Sequence, residues 1–401
     1  MSVLAMALVL VISACSSGDD APEVTGAAAD TAIAGSSMAY TNATDAAPLY
    51  VLLQNGVEKA ATTTGVALKT YDNALDPSKV SSNARLIAQS KPDYVASYNP
   101  VAGIYPSIEK IYEDAGIPCI AVNTPSVTGD QPGYCSWLNL SNPQLCTDTA
   151  KAVGKAAQEK GWNGDNTTVL LVNAPSFGEQ INNCNSYFYK EITNWVPGLQ
   201  AINDVSDLKV TTTQLGDSMI QVDGKAQRGP SFDSVKNALA GVPSSKNLIV
   251  YTVADDSALG AWQAVEQAGR GPRSLVAGIG GTKEALEQLR TNPSWVAEGD
   301  LFFGHWGQFM MAMAAAKKAD QQLPFQTIAP EAVLTKDLTL PDTIVAPIAD
   351  YYRDGETDAY QLPPLIPVAE GETVFGRQTV GNDYLATTGV LQLFNNVKDL
   401  K

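Results

Sequence analysis

Histidine is almost absent. The chain holds one, His305, which rules out a histidine-rich metal centre and leaves a single position for any Ser–His or Cys–His catalytic pair. No C-x-x-C occurs, so a zinc ribbon and a thioredoxin-like redox site both lack support. Positive charge is scarce. The 26 basic residues stand against 42 acidic ones, a formal net charge of −16, and a surface of that sign does not neutralise nucleic-acid phosphates. Beyond residue 14 no apolar run reaches the roughly 18–20 residues of a membrane-spanning helix, and no fixed-period repeat marks a solenoid or adhesin array. Charged residues make up only 17%, below the roughly 25% of soluble domains. The 45% hydrophobic content exceeds what a disordered chain carries, and 401 residues suffice for two or three domains with real cores.

The first 14 residues (MSVLAMALVLVISA) are apolar and uncharged, too short to span a bilayer, and read as a signal-peptide core without the usual basic n-region. Ile12-Ser13-Ala14-Cys15 follows and resembles a bacterial lipobox, which implies that Cys15 is acylated and becomes the mature first residue. Residues 16–37 are small, polar and unpatterned, a composition suited to a flexible tether. An exported chain allows disulfides. The four later cysteines, Cys119, Cys135, Cys146 and Cys184, permit three full pairings. Cys135 and Cys146 are close enough in sequence to staple a loop and are the favoured pair, while Cys119, in the apolar run IPCIAV, also fits a buried free thiol.

From residue 38 short apolar runs alternate with stretches of helical spacing. Strands are expected at 38–40, 66–71, 94–98 and 119–122, and then at 169–172, 208–211, 248–253 and 275–279. Helices are expected between them. One carries Leu49, Leu52, Leu53 and Val57 and stops at Gly65; later ones lie near 143–160, 178–194, 232–240, 256–268 and 282–290. Strands regularly separated by helices form parallel sheets covered on both faces, and two such series predict an α/β molecule of two doubly wound lobes.

Open α/β sheets bind ligands beyond the carboxyl ends of their strands. Asn42, Asn99, Asn123 and Asn173 each close a strand there, Asp255-Asp256 follow another, and Gly280-Gly281 another. Uncharged amides both donate and accept, so such a rim suits a neutral polyhydroxylated ligand better than a phosphate or metal, and neither metal nor cofactor is expected. Asparagine also ends strands and caps helices for local reasons, a competing role for each of them. Candidate aromatic stacking partners are Tyr50, Trp137, Phe177 and the cluster Phe302-Phe303 with His305-Trp306.

The run YDNALDPSKVSSNARLIAQSKPDYVASYNP, continued through IEKIYEDAGIPCIAVN, resembles the first lobe of sugar-type type I periplasmic binding proteins. ADDSALGAWQAVEQAGR with SLVAGIGGTKEALEQL resembles their second lobe. The resemblance spans residues 38–335 and implies two lobes joined by a three-strand hinge: 38–140 with 302–330, and 141–301 with 331–340. It implies a monomeric, non-enzymatic capture protein that closes on a small-molecule ligand and delivers it to an ABC-transporter permease. With the Cys15 anchor, the protein would sit outside the bacterial cell membrane. Residues 341–401 extend past the family's usual end.

Carried over position by position, the usual Asn-Pro-aromatic-aromatic motif is Ala47-Pro48-Leu49-Tyr50, with Asn42 and Asp45 as substitutes for its polar group. The family's Asp-Arg pair is Asn123-Thr124, its second-lobe arginine is Asn182, and the aspartate of Gly-Phe-Asp-Gly-Thr is Gly280. Asp300 stands where a polar contact near the last crossover is common. Charged groups that grip hydroxyls are therefore missing, which points away from a simple hexose toward a less polar or larger polyol, cyclitol or glycoside. A receptor-associated sensor is the alternative within this fold. An exported glycosidase needs two carboxylates about 5–10 Å apart, whereas Asp255 and Asp256 are neighbours better read as helix capping. Gly278-x-Gly280-Gly281 is not the G-x-G-x-x-G of dinucleotide sites.

Overall fold

A computed structural model describes residues 32–99, 102–123, 133–140, 142–321, 323, 326–329, 331–336, 345–347 and 366–368. The segment read as a signal peptide, Cys15, most of the stretch read as a tether, Thr124 and most of 341–401 lie outside the described residues.

The first lobe starts with β1 (Ser37–Asn42), whose apolar side chains and following Asp45–Pro48 turn lead into α1 (Pro48–Thr64). Pro48 sits at the first turn, where no N–H is needed, and Gly65 ends the helix in the left-handed region at φ 73°. Next come β2 (Ala67–Asp72) and α2 (Pro77–Ser90), whose N-cap Asp76 accepts from the Ser78 and Lys79 amides. β3 (Tyr94–Tyr98), α3 (Tyr105–Ala115), β4 (Cys119–Val122) and β5 (Ser136–Asn139) complete the series. All of these strands are parallel.

α4 (Asn142–Glu159) carries the chain to the second lobe. There follow β6 (Thr167–Asn173), α5 (Glu179–Trp195), β7 (Gln214–Leu215), β8 (Met219–Asp223), α6 (Arg228–Leu239) and β9 (Asn247–Thr252). The lobe continues with α7 (Asp255–Gln267), β10 (Ser274–Gly280), α8 (Lys283–Thr291) and β11 (Trp295–Asp300). The chain returns in α9 (Trp306–Lys318) to the first lobe, where β12 (Gln326–Ile328) pairs parallel with β5. It then crosses again to β13 (Ala332–Thr335), antiparallel to β11. Three passages thus join the lobes, after β5, β11 and β12. The C-terminal segment adds an edge strand to each sheet, β14 (Val345–Pro347) beside β13 and β15 (Ile366–Val368) beside β12. The sheet orders are β15-β12-β5-β4-β3-β1-β2 and β14-β13-β11-β10-β9-β6-β8-β7.

Two expectations fail for identifiable reasons. Residues 208–211 form no strand; the strand of that region is β8. Leu208 anchors a loop after a one-turn helix capped by Asp204, and the Gln221 side-chain amide donates to the carbonyls of Lys209 and Thr212 at 2.9 and 2.8 Å, replacing a sheet ladder. The Cys135–Cys146 staple does not form, nor is Cys119 a free thiol. Cys119 pairs with Cys135, and Cys146 with Cys184. β4 and β5 are neighbours in a register that sets Ile120 opposite Ser136, so Cys119 and Cys135 meet one step earlier with Cα atoms 4.7 Å apart. Cys146 and Cys184 lie on the adjacent helices α4 and α5.

Candidate ligand cleft

A small cavity of about 50 Å³ lies between the lobes, at the carboxyl ends of the strands. The first lobe contributes Leu49 and Tyr50 from the start of α1, Tyr98 from the end of β3, Asn123 after β4 and Leu140 after β5. The second contributes Phe177 and Ile181, Asp255 and Asp256 at the start of α7, Ile279 near the end of β10, Thr282 just after it, and Leu301 and Phe303 on the passage after β11. The rings of Tyr50 and Phe177 come from opposite lobes yet lie nearly parallel, 3° apart in plane with centroids at 6.1 Å. Tyr98 meets Tyr50 edge-on at 5.3 Å. Burial pushes the Tyr98 hydroxyl up to about 12, while hydrogen bonds with Tyr50 and Asn123 pull it partly back.

The amide rim expected from the strand ends is mostly internal scaffolding. Of its four asparagines only Asn123 reaches the cavity wall, with Nδ2 donating to Tyr98 Oη at 2.7 Å and φ at 43°, a left-handed conformation that asparagine tolerates. Asn42 is fully buried and staples its own turn, donating to Asp45 Oδ1 at 2.9 Å and to the Tyr50 carbonyl at 3.2 Å. Asp45 itself is exposed beside that turn. Asn99 is buried at the end of β3, off the wall. Asn173 donates to the Val210 carbonyl. Asn182 accepts from the Ala174 amide at 2.7 Å and donates to the Ala174 carbonyl at 2.8 Å; it borders a separate groove of about 600 Å³ between α5 and residues 205–210.

The aromatic candidates divide as well. Tyr50, Phe177 and Phe303 line the cavity. Trp137 points to the other face of β5 and packs with Cys119, Cys135 and Ile117, whereas its neighbour Leu138 joins the central core. Trp306 is fully buried; its Nε1 donates to the Leu301 carbonyl at 2.8 Å and its ring meets Phe303 edge-on. Phe302 packs in the second-lobe core and His305 is buried off the wall.

Beneath the second-lobe wall three carboxyl groups are buried together: Asp255, Glu298 and Asp300. Asp255 follows Ala254, the N-cap of α7, so it does not cap this helix; its Oδ2 accepts instead from the Thr282 amide at 2.7 Å. Asp300 accepts from the Phe302 amide at 2.8 Å and lies behind Leu301, off the cavity wall. Glu298 accepts from Trp295 Nε1 at 3.0 Å. Burial raises Glu298 well above the usual carboxylate range, helped by the charge and hydrogen bond of Asp255, and Asp300 is raised mainly by burial. Gly278-Ile279-Gly280-Gly281 makes the room. A Cβ at Gly278 would lie 3.0 Å from Glu298 Oε2, one at Gly280 2.5 Å from Asp255 Oδ2, and one at Gly281 would collide with Asp300 Oδ1. The glycines seat carboxyl groups, the opposite of a phosphate cradle. Tyr98, Thr282 and Glu298 were not singled out from sequence. Tyr98 ends a legible strand and could have been found; Glu298 sits mid-strand, where nothing in the sequence separates it from a solvent-facing acid. Among the described residues no group of three or more His, Cys, Asp or Glu is placed to hold a metal ion.

Solved structures share this architecture. An ABC-transporter solute-binding protein of Actinobacillus succinogenes with D-allose bound matches with a TM-score of 0.62 at 16% identity, over 74% of this chain and 96% of its own. One from Mycobacterium smegmatis with glycerol bound gives a TM-score of 0.60 at 19% identity, over 78% and 99%. One from Bacillus halodurans with myo-inositol bound gives 0.61 at 16%, over 75% and 95%. No curated protein matches by sequence. The family described as "Periplasmic binding protein domain" matches residues 38–326, which takes in every described cavity-lining residue, most of both sheets and two of the three passages between them. With two doubly wound lobes closing on a shared cleft, the chain belongs to the periplasmic binding protein family, whose members bind solutes without transforming them.

Proposed function

We propose that this protein captures a small polyhydroxylated molecule outside the cytoplasm and hands it to an ABC-transporter permease. The observation that carries the reading is the pair of parallel rings, Tyr50 and Phe177, presented by opposite lobes. Such a pair grips the two apolar faces of a sugar or cyclitol ring, while Asn123 and Asp255 supply polar contacts to its edge. The solved relatives hold D-allose, myo-inositol and glycerol, molecules of this class. A cavity of about 50 Å³ is far below the roughly 300–1,000 Å³ of ligand pockets, so entry requires the lobes to part and closure follows capture. The lipobox-like Ile12-Ser13-Ala14-Cys15 supports tethering to the membrane, which keeps the protein beside its permease.

The test is a thermal-shift screen of the protein without its tether against sugars, polyols and cyclitols. A true ligand at about 100 times its Kd stabilises by about 2.7 kcal/mol, a rise of several degrees. Failure of every such compound, with glycoside hydrolysis in the same samples, would overturn the reading. Expression of the whole chain in bacteria tests the tether: the protein should partition with membranes, and C15A should release it.

A further inference from the structure

Among the described residues the charges of the cleft all have one sign: its wall carries Asp255 and Asp256 and no lysine, arginine or histidine. Asp256 is balanced at the rim by Arg228, whose Nη2 lies 3.6 Å from it and 2.6 Å from Glu284. Asp255 has no such partner. It is only 2% exposed, and the donor left to its Oδ1 among the described residues is the acid proton of Glu298. Glu298, behind it, can bridge to Asp255 only as the protonated acid, and Asp300 adds a third carboxyl, not a counter-charge. On the first lobe Asn123 Oδ1 is likewise buried without a donor. Among the described residues this wall therefore holds an acceptor without a donor on the first lobe, Asn123 Oδ1, and a carboxylate without a counter-charge on the second, Asp255. Around them stand the rings of Tyr50, Tyr98, Phe177 and Phe303, whose negative faces attract cations.

We propose that the captured solute carries a protonated amine, as an amino sugar or aminocyclitol does, with its ammonium on the Asp255 carboxylate and its ring between Tyr50 and Phe177. The inference rests on the reading of the chain as a polyol-capture protein and names the class of polyol. An ammonium has donors only and no acceptor, which matches a carboxylate without a counter-charge and an acceptor without a donor, whereas a neutral hydroxyl leaves the carboxylate charge uncompensated. The neutral ligand expected from an asparagine rim loses its basis once three of the four asparagines prove to be turned inward.

The test is calorimetric titration of the mature chain with matched probes: D-glucosamine against D-glucose and N-acetyl-D-glucosamine, and scyllo-inosamine against scyllo-inositol. The amine is expected to bind at least tenfold more tightly than its uncharged partners in at least one series. In D255N that preference should fall at least tenfold, with near-native circular dichroism as the folding control. The wild-type comparison stands on its own if D255N does not fold. Equal or tighter binding of the uncharged members overturns the amine and leaves polyol capture intact. Binding of none of these probes overturns the amine, and only failure of the wider polyol screen as well overturns the capture reading.

Discussion

His305 and Glu298 are ionisable side chains that the fold holds uncharged, and they act on stability with opposite signs. Burial, aided by Lys59, lowers His305 from 6.5 to about 4. The unfolded chain takes up this proton at higher pH than the folded one, so the stabilisation is full above 6.5 and drains away as pH falls toward 4. At 1.36 kcal/mol per unit the loss is about 3 kcal/mol. H305Q should flatten that limb of a plot of Tm against pH. Glu298 is raised, so the folded chain keeps a proton that the unfolded chain releases above its ordinary value of 4.5. Its contribution is present below that value and is lost as pH climbs toward the raised one. E298Q, which keeps the shape and loses the charge, should match or exceed wild-type Tm at pH 7 and fall behind at pH 4. A wild-type advantage for E298 at pH 7 would contradict the neutral-acid assignment.

At the scale of elements, three contacts between strands or helices set geometry that no local pattern announces. β4 beside β5 brings Cys119 to Cys135, closing a separation of 16 residues; removing both thiols with C119S/C135S should cost about 3 kcal/mol in denaturant unfolding. The longer Cys146–Cys184 closure, at a separation of 38, should be worth about 4 kcal/mol by the same chain-entropy estimate. α1 crosses α9 backbone to backbone. A Cβ at Gly56 would strike the Gly304 carbonyl, and one at Gly307 the Gly56 carbonyl. G56A should therefore destabilise by about 1–3 kcal/mol, as overpacked cores do, despite alanine's better helix propensity. Unfolding midpoints measured with an exposed alanine control decide it.

The elements themselves were legible because helical and strand periodicities are local: α1 stops at its expected Gly65, and α7 and α8 start and stop within a few residues of their expected bounds. The 208–211 region misled because β-branched residues there mimic a strand while Gln221, distant in sequence, takes the carbonyls. Trp137 and Trp306 show the same limit for the site. Aromatic residues near strand ends are candidates by position, but a strand's two faces and a helix's burial decide which ring meets solute. Tyr50 and Phe177 reach the cleft because each sits on a helical turn that opens at the sheet's carboxyl edge.

For the whole molecule the working coordinate is the separation of the lobes. The Tyr50–Phe177 pair bridges them, and a stacked aromatic pair is worth about 0.5–1.5 kcal/mol, so Y50A should shift the lobe equilibrium toward the parted form about two- to tenfold. Small-angle scattering should then give a larger radius of gyration for Y50A than for wild type, and solute affinity should fall. No change in either would dissociate the rings from closure.

The scarcity of histidine and of positive charge, the apolar leader with its cysteine, and the alternation of strand and helix spacing are properties of the chain itself. They determined the compartment expected, the two α/β lobes and the argument against a histidine-rich metal centre, a thiol redox site and nucleic-acid binding, because each depends on composition or on periods of a few residues. Tertiary structure decided the disulfide partners, the inward turn of three asparagines and the burial of Asp255, Glu298 and Asp300 against Gly278, Gly280 and Gly281. Those outcomes depend on residues brought together from separate strands and helices, and solvation of a charge is settled only when its neighbours are in place. The lone histidine ends as a buried, neutral side chain, and Asp255, read from sequence as a helix cap, ends on the cleft wall.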